Sequence, residues 1–218
     1  MSMQTRTASA SGGLFSVVLP GSWASIPVAD LDAAEKRVSA LVKQQVGTND
    51  RLAGRRRQVR EELMTTVRQA AEEGAIAFSL ALELLPGIPF SGAIMSRVES
   101  WPSGTPADKP ATERLTAAFP GAVVIETSAG PAARRAGTST QKYVTTQTPA
   151  LSLDYWLPIP ETDRLLATTV SLPIAPDADL FTELFDSIID SIMWTGAPAQ
   201  PGETEDGQVE DRQVDAVL

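Results

Sequence analysis

A change of hydrophobic period after Gly74 is the feature that most limits what this chain can fold into. Before Gly74 the apolar residues recur at helical spacing, and after it they alternate with a period of two. Large residues at 76, 78, 80, 82 and 84 alternate with small or polar residues at 75, 77, 79, 81 and 83. This alternation predicts a strand. Pro86 and Gly87 then form a turn, and Ile88–Glu99 is predicted to return as a second strand.

The other segments complete a predicted element order of β-α-α-β-β-α-β-β-β-β-α. Helices are predicted from about Asp30 to Gly47, from a cap within Thr48–Asp50 to Glu73, at Ala111–Phe119 and at Asp177–Trp194. Strands are predicted at Leu14–Leu19, Val123–Thr127, Gln141–Gln147, Leu151–Leu157 and Arg164–Leu172, with a turn at Gly130–Gly137. Consecutive strands joined by short turns pair in antiparallel fashion. The predicted fold class is therefore α+β, a mainly antiparallel sheet of six to seven strands with helices packed on its faces (an α/β/α sandwich).

The same patterns predict one domain at residues 14–194 between two disordered tails. The tail at residues 1–13 is rich in Ser, Thr and Ala, and the tail at residues 195–218 is acidic and lacks aromatic residues. No segment approaches the roughly 20 apolar residues that span a membrane. The start of the chain also lacks the apolar core of a secretory signal, so a cytoplasmic location is expected.

The composition excludes several kinds of chemistry. The chain has no cysteine and no histidine. Thiolate nucleophiles, zinc sites built on these residues and the Ser-His-Asp triad are therefore excluded. No phosphate-loop or dinucleotide motif is present, so no cofactor, no metal and no enzymatic activity are expected. The net charge of −9 disfavours nucleic-acid binding.

Five arginines lie within ten residues at the start of the second predicted helix. They are Arg51, Arg55, Arg56, Arg57 and Arg60. Guanidinium groups bind oxyanions bidentately, so the segment could hold phosphate, an anionic lipid headgroup or an acidic protein surface. The alternative is a solvated helix face, which is what most charge runs form. No aromatic residue is interleaved, so stacking on nucleic-acid bases is not indicated.

An acidic stripe occupies one face of the last predicted helix. Its members are Asp179, Glu183, Asp186 and Asp190, at spacings of four, three and four residues. Like charges at this spacing destabilise a helix by roughly 0.2–0.5 kcal/mol per pair. The stripe therefore predicts a docking face for a basic partner, a contact with the protein's own arginines, or a solvated face.

Three adjacent residues of a predicted strand divide between the two faces of the sheet. Tyr155 shares the core-facing register with Leu151 and Leu153, whereas Asp154 and Trp156 point to the other face. Trp156 is thus a candidate partner-binding residue on the sheet, or it packs beneath a helix. Asp154 could serve as a base only with a placed partner group, and the sequence indicates none.

Two short motifs resemble a known group of proteins. The motif LPGSW (Leu19–Trp23) follows the first strand, and LFTELFDSIIDSI (Leu180–Ile192) forms the last helix. Together with the element order, they resemble the PsbP-like or Mog-type α/β/α sandwich, which includes uncharacterised actinobacterial proteins. This resemblance implies a non-catalytic partner-binding module and carries no common catalytic residues. Arginine outnumbers lysine fourteen to four, which is typical of a GC-rich bacterial genome.

Three functional hypotheses remain open at this point. The leading one is a non-enzymatic protein-binding or scaffold module of a bacterial cytoplasmic assembly, and the resemblance suggests an accessory factor of a secretion apparatus. The second is a carrier of an apolar small ligand between sheet and helices, with Phe78, Leu80, Leu82 and Tyr155 lining the cavity. The third is an enzyme that uses carboxylates alone.

Overall fold

The structure is a computed structural model that describes residues 5–9, 13–85, 88–143 and 146–195. The helices are α1 (Leu31–Val46), α2 (Ala53–Glu72), α3 (Ala111–Ala118) and α4 (Ala178–Asp190). The strands are β1 (Thr5–Ser9), β2 (Phe15–Pro20), β3 (Ser22–Ser25), β4 (Ala75–Leu85), β5 (Ile88–Ser100), β6 (Val123–Thr127), β7 (Gly130–Tyr143), β8 (Thr146–Pro158), β9 (Arg164–Leu172) and β10 (Met193–Trp194). A 3₁₀ turn at Asp50–Leu52 precedes α2.

The strands form two antiparallel sheets. Seven strands make the larger sheet in the order β3-β4-β5-β9-β8-β7-β6, and the smaller sheet has the order β1-β2-β10. Every pairing in both sheets is antiparallel. The predicted α+β class with a mainly antiparallel sheet is confirmed.

Helices cover both faces of the larger sheet, as a sandwich requires. One face, which we call the α4 face, carries Leu153, Tyr155 and Val170 and packs against α4 and the smaller sheet. The opposite face, the hairpin face, is covered at one end by α1 and α2 over Phe78. At its other end α3 covers the hairpin face, with Leu115 packed on Ala133 and Leu165.

The termini of α1 are set by local sequence signals. The Asp30 carboxylate accepts hydrogen bonds from the backbone N–H groups of Asp32 and Ala33, which satisfies donors that have no partner within the helix. Gly47 follows the helix with a φ of 90°, a conformation that favours glycine. The chain then turns through the 3₁₀ segment, so α2 returns beside α1 as a helical hairpin.

Several segments differ from the predicted elements. The turn predicted at Gly130–Gly137 is wrong, because these residues belong to strand β7 and pair with both β6 and β8. The last helix ends at Asp190, and Met193–Trp194 pairs with β2 as strand β10. Strand β3 was not predicted, and strand β1 lies within the segment predicted as the N-terminal tail. Of the predicted C-terminal tail, residues 196–218 lie outside the described residues.

The alternating segment forms β4, but not all of its large residues share one face. Phe78 and Leu80 pack against the helical hairpin, whereas Ile76 packs in the α4-face core. The register shifts between Ala75 and Ala77, which moves Ile76 to the other side of the sheet. A register shift of this kind cannot be recognised from the alternation of large and small residues in the sequence.

Candidate partner-binding surfaces

The arginine segment forms an exposed cationic surface at the start of the helical hairpin. Arg51 lies in the 3₁₀ turn, and Arg55, Arg57 and Arg60 lie in the first two turns of α2. All four are exposed. None of them forms an ion pair within the described residues, where the ion pairs are Arg97–Glu99, Lys109–Glu113, Arg114–Asp163 and Arg134–Asp186. We call these four residues the arginine surface.

Arg56 differs from its neighbours because it is bonded to the protein's own backbone. Its Nη1 donates to the carbonyl oxygens of Gly47 at 3.0 Å and Asn49 at 2.7 Å. These carbonyls follow the end of α1, where backbone acceptors have no helical partner. Arg56 therefore ties the α1–α2 connection together, and the structure separates it from the other four arginines.

Lys43 adds a further positive charge beside the arginine surface, although it lies outside the arginine segment. It sits in the last turn of α1, across a cleft from α2. The sequence contained the signal, because a short connection between two helices brings the last turn of the first beside the first turn of the second. The periodicity of one helix does not reveal its neighbour, so the arginine segment alone does not indicate Lys43.

Two of the four residues of the acidic stripe, Asp186 and Asp190, bond to other parts of the protein. Asp186 accepts a 2.9 Å hydrogen bond from the Tyr155 hydroxyl, and its second oxygen forms an ion pair with Arg134. Asp190 accepts hydrogen bonds from the backbone N–H and the hydroxyl of Ser128. These contacts fasten α4 to the sheet. Asp179 and Glu183 remain exposed, so the stripe does not form one continuous free acidic face.

The burial of Tyr155 beside Asp186 is expected to make stability depend on pH in the alkaline range. Burial, followed by the nearby Asp186 carboxylate, raises the pKa of Tyr155 above its ordinary value of 10.0. Above about pH 10 the unfolded chain releases this proton and the folded chain retains it, so stability falls as pH rises. We expect Tyr155→Phe to cost about 1 kcal/mol at neutral pH. The variant should lose less further stability than wild type between pH 9 and 11, as measured by urea unfolding.

Tyr143→Phe is the matched control for this alkaline decline, because Tyr143 is the second of the chain's two tyrosines. It should retain the wild-type decline. An equally steep decline in Tyr155→Phe would assign the pH dependence to other groups.

Trp156 is part of a local stack on the hairpin face. Its ring stacks on Phe119, with the two centroids 4.2 Å apart, and the Arg135 guanidinium lies 5.2 Å from its centroid. The predicted register is confirmed, since Tyr155 is fully buried on the α4 face. Asp154 accepts a 2.9 Å hydrogen bond from the Thr169 hydroxyl. Trp156 therefore packs against the end of α3, as the structural alternative predicted.

An open trough of about 390 Å³ lies on the hairpin face, next to the helical hairpin. Leu80 and Ala93 line one side, and Ser152 and Ser171 lie among its other lining residues. The predicted lining of a ligand cavity is wrong in one respect. Phe78 and Leu80 pack on the hairpin face and Tyr155 on the α4 face, so these side chains cannot surround one ligand.

The described part of the chain contains neither a metal-binding cluster nor a membrane-spanning helix. No group of three or more carboxylates there could hold a metal ion. No helix among the described residues is long and apolar enough to cross a bilayer.

Comparison with known proteins leaves the family open. No protein-family model matches the chain, and no curated protein sequence matches it. Among solved structures, the chain is similar to the Ran-binding protein Mog1p of Saccharomyces cerevisiae. The two are 7% identical, the similarity covers 89% of this chain and 97% of that chain, and the TM-score is 0.43. Values this low establish neither a shared family nor a shared function.

Proposed function

We propose that this chain is a non-enzymatic module that binds an acidic surface of another protein through its arginine surface. The observation that carries the proposal is the exposure of Arg51, Arg55, Arg57 and Arg60 without an ion pair in the described residues. The whole chain carries a net charge of −9, so this surface is a cationic exception on an acidic protein. A local positive field of this kind would favour the approach of an acidic partner at this surface.

The other predicted surfaces are less suited to this role. Asp186 and Asp190 already bond within the protein, and Trp156 is stacked on Phe119. A partner would have to displace these contacts before it could use those groups. Within the described residues, the guanidinium groups of the arginine surface have no such competing contact, and each can form paired hydrogen bonds to a carboxylate.

The cellular setting proposed here follows from the sequence. An arginine-rich, lysine-poor composition and the resemblance of the two end motifs favour an actinobacterial cytoplasmic assembly, such as an accessory factor of a secretion apparatus. The lack of histidine and cysteine supports a binding role over catalysis. Genes adjacent to the one that encodes this chain are the first place to look for the partner.

The double variant Arg55→Glu/Arg60→Glu tests the binding role. Each substitution changes the charge by −2, so the pair changes it by −4. Because both side chains are exposed, the fold should remain within about 0.5 kcal/mol of wild type. Affinity capture from the native cell should lose the specific partner. Wild-type capture should weaken as salt rises, because exposed charges are screened over roughly 8–10 Å.

Arg68→Glu/Lys109→Glu is the matched control, since it applies the same charge change at two exposed cations outside the surface. This control should keep the partner. Retention of the same partner by Arg55→Glu/Arg60→Glu would overturn the proposal.

A further inference from the structure

A cleft of about 250 Å³ separates the end of α1 from the start of α2. Its lining combines four cations from both helices with three small or apolar residues: Lys43, Arg56, Arg57, Arg60, Ser39, Val42 and Ala53. The cleft thus overlaps the arginine surface on one side, through Arg57 and Arg60. Arg51 and Arg55 do not line it, although they belong to the same segment.

The charged side chains of this cleft take no part in the ion pairs of the described residues. The first turn of α2 contains no acidic residue, and no side chain caps that end of the helix. Four like charges held together in this way repel one another, and a bound anion would relieve the repulsion.

One of the four cations is already held in place. The two carbonyl contacts of Arg56 fix its position at the base of the α1–α2 connection. Because its Nη1 is already used by these carbonyls, Arg56 contributes a fixed positive charge, and a ligand that binds beside it does not have to order this side chain. Lys43, Arg57 and Arg60 are exposed and can close on a ligand from the two helices.

We propose that this cleft binds a phosphate monoester carried by a side chain of the partner protein; this inference rests on the proposed function. A phosphorylated side chain carries about 1.5 to 2 negative charges at neutral pH and three strong acceptor oxygens. A carboxylate carries one charge and two oxygens. Cations that converge from two helices match the phosphate better, because several donors can bind its oxygens at once.

The first test is a titration with inorganic phosphate. Binding is measured by NMR from the amide resonances of Ser39 and Ala53, which line the cleft. Saturable shifts are expected. Arg57→Gln/Arg60→Gln should weaken binding roughly tenfold or more, because hydrogen bonds between charged groups are among the strongest in proteins. Arg68→Gln/Lys109→Gln is the matched control and should stay within about twofold, since these exposed cations lie outside both the cleft and the arginine surface. Equal weakening by both pairs would mean diffuse attraction and would overturn the site.

The second test identifies the source of the phosphate. An acidic peptide with one phosphoserine should bind roughly tenfold more tightly than the same peptide with glutamate there, and Arg57→Gln/Arg60→Gln should abolish that difference. Equal binding of the two peptides would overturn the inference. The inference would also be overturned if the protein bound vesicles that contain a phosphoinositide but did not prefer the phosphopeptide. That result would indicate a membrane ligand.

Phosphatase treatment separates this inference from the proposed function. If the native partner is captured equally well after treatment but is lost from Arg55→Glu/Arg60→Glu, the arginine surface binds the partner and the phosphate inference fails alone. If the partner remains bound to that variant, the proposed function itself fails.

Discussion

Replacement of Phe185 by alanine is expected to lower the free energy of unfolding by about 3–5 kcal/mol, the usual cost of removing a buried phenylalanine. Phe185 is fully buried, and its ring meets Trp23 edge-on with the centroids 6.5 Å apart. The substitution removes the ring and leaves a cavity between α4 and the sheet. Urea unfolding, with an unchanged slope against denaturant, would measure the loss.

Leu180→Ala on the same helix is the control for this cavity. Leu180 is 60% exposed, so its truncation should change stability by less than about 0.5 kcal/mol. A Phe185→Ala variant within 1 kcal/mol of wild type would mean that α4 is not packed on the sheet in solution. The apolar face of α4 would then be available to a partner.

The parts of the fold that depend on nearby residues could be predicted from the sequence. The start of α1 near Asp30 and its end at Gly47 depend on local sequence, and the structure confirms both predicted limits. The faces of Tyr155 and Asp154 followed from strand alternation alone. Strands β3 and β10 could not be predicted, because a four-residue and a two-residue strand are specified by their distant partners β4 and β2 rather than by their own pattern.

The candidate site was likewise predictable from the sequence only in part. Five clustered arginines identified the region, but helical spacing could not show which of them had a backbone partner. Arg56 bonds to carbonyls seven and nine residues earlier, around the bend between two helices. Asp186 bonds to Tyr155, which lies 31 residues earlier in the sequence. This tertiary contact removes Asp186 from the free acidic face that the even spacing had suggested. Charge patterns locate a surface, and tertiary contacts decide which of its charges remain available.

The LPGSW motif has a physical explanation in the connection between the two sheets. Leu19 and Pro20 end β2 in the smaller sheet, and Ser22 begins β3 in the larger one. The Trp23 indole N–H donates to the carbonyl of Pro20 at 2.8 Å, which closes the bend. Only Gly21 lies between the strands, so one residue carries the chain from one sheet to the other.

Gly21→Ala is expected to destabilise the protein by about 3 kcal/mol, from left-handed strain and overpacking together. Gly21 has a φ of 81°, and an added Cβ would lie 2.2 Å from the carbonyl oxygen of Glu83 and 2.7 Å from that of Leu84. Both atoms belong to the backbone of β4, so relief requires the bend to move away from the strand with which β3 pairs. Gly104→Ala isolates the strain, because its φ is 83° with no atom within 4 Å of the added Cβ; it should cost about 1–2 kcal/mol. Equal losses in the two variants, measured by thermal and urea unfolding, would contradict a close approach between the bend and β4.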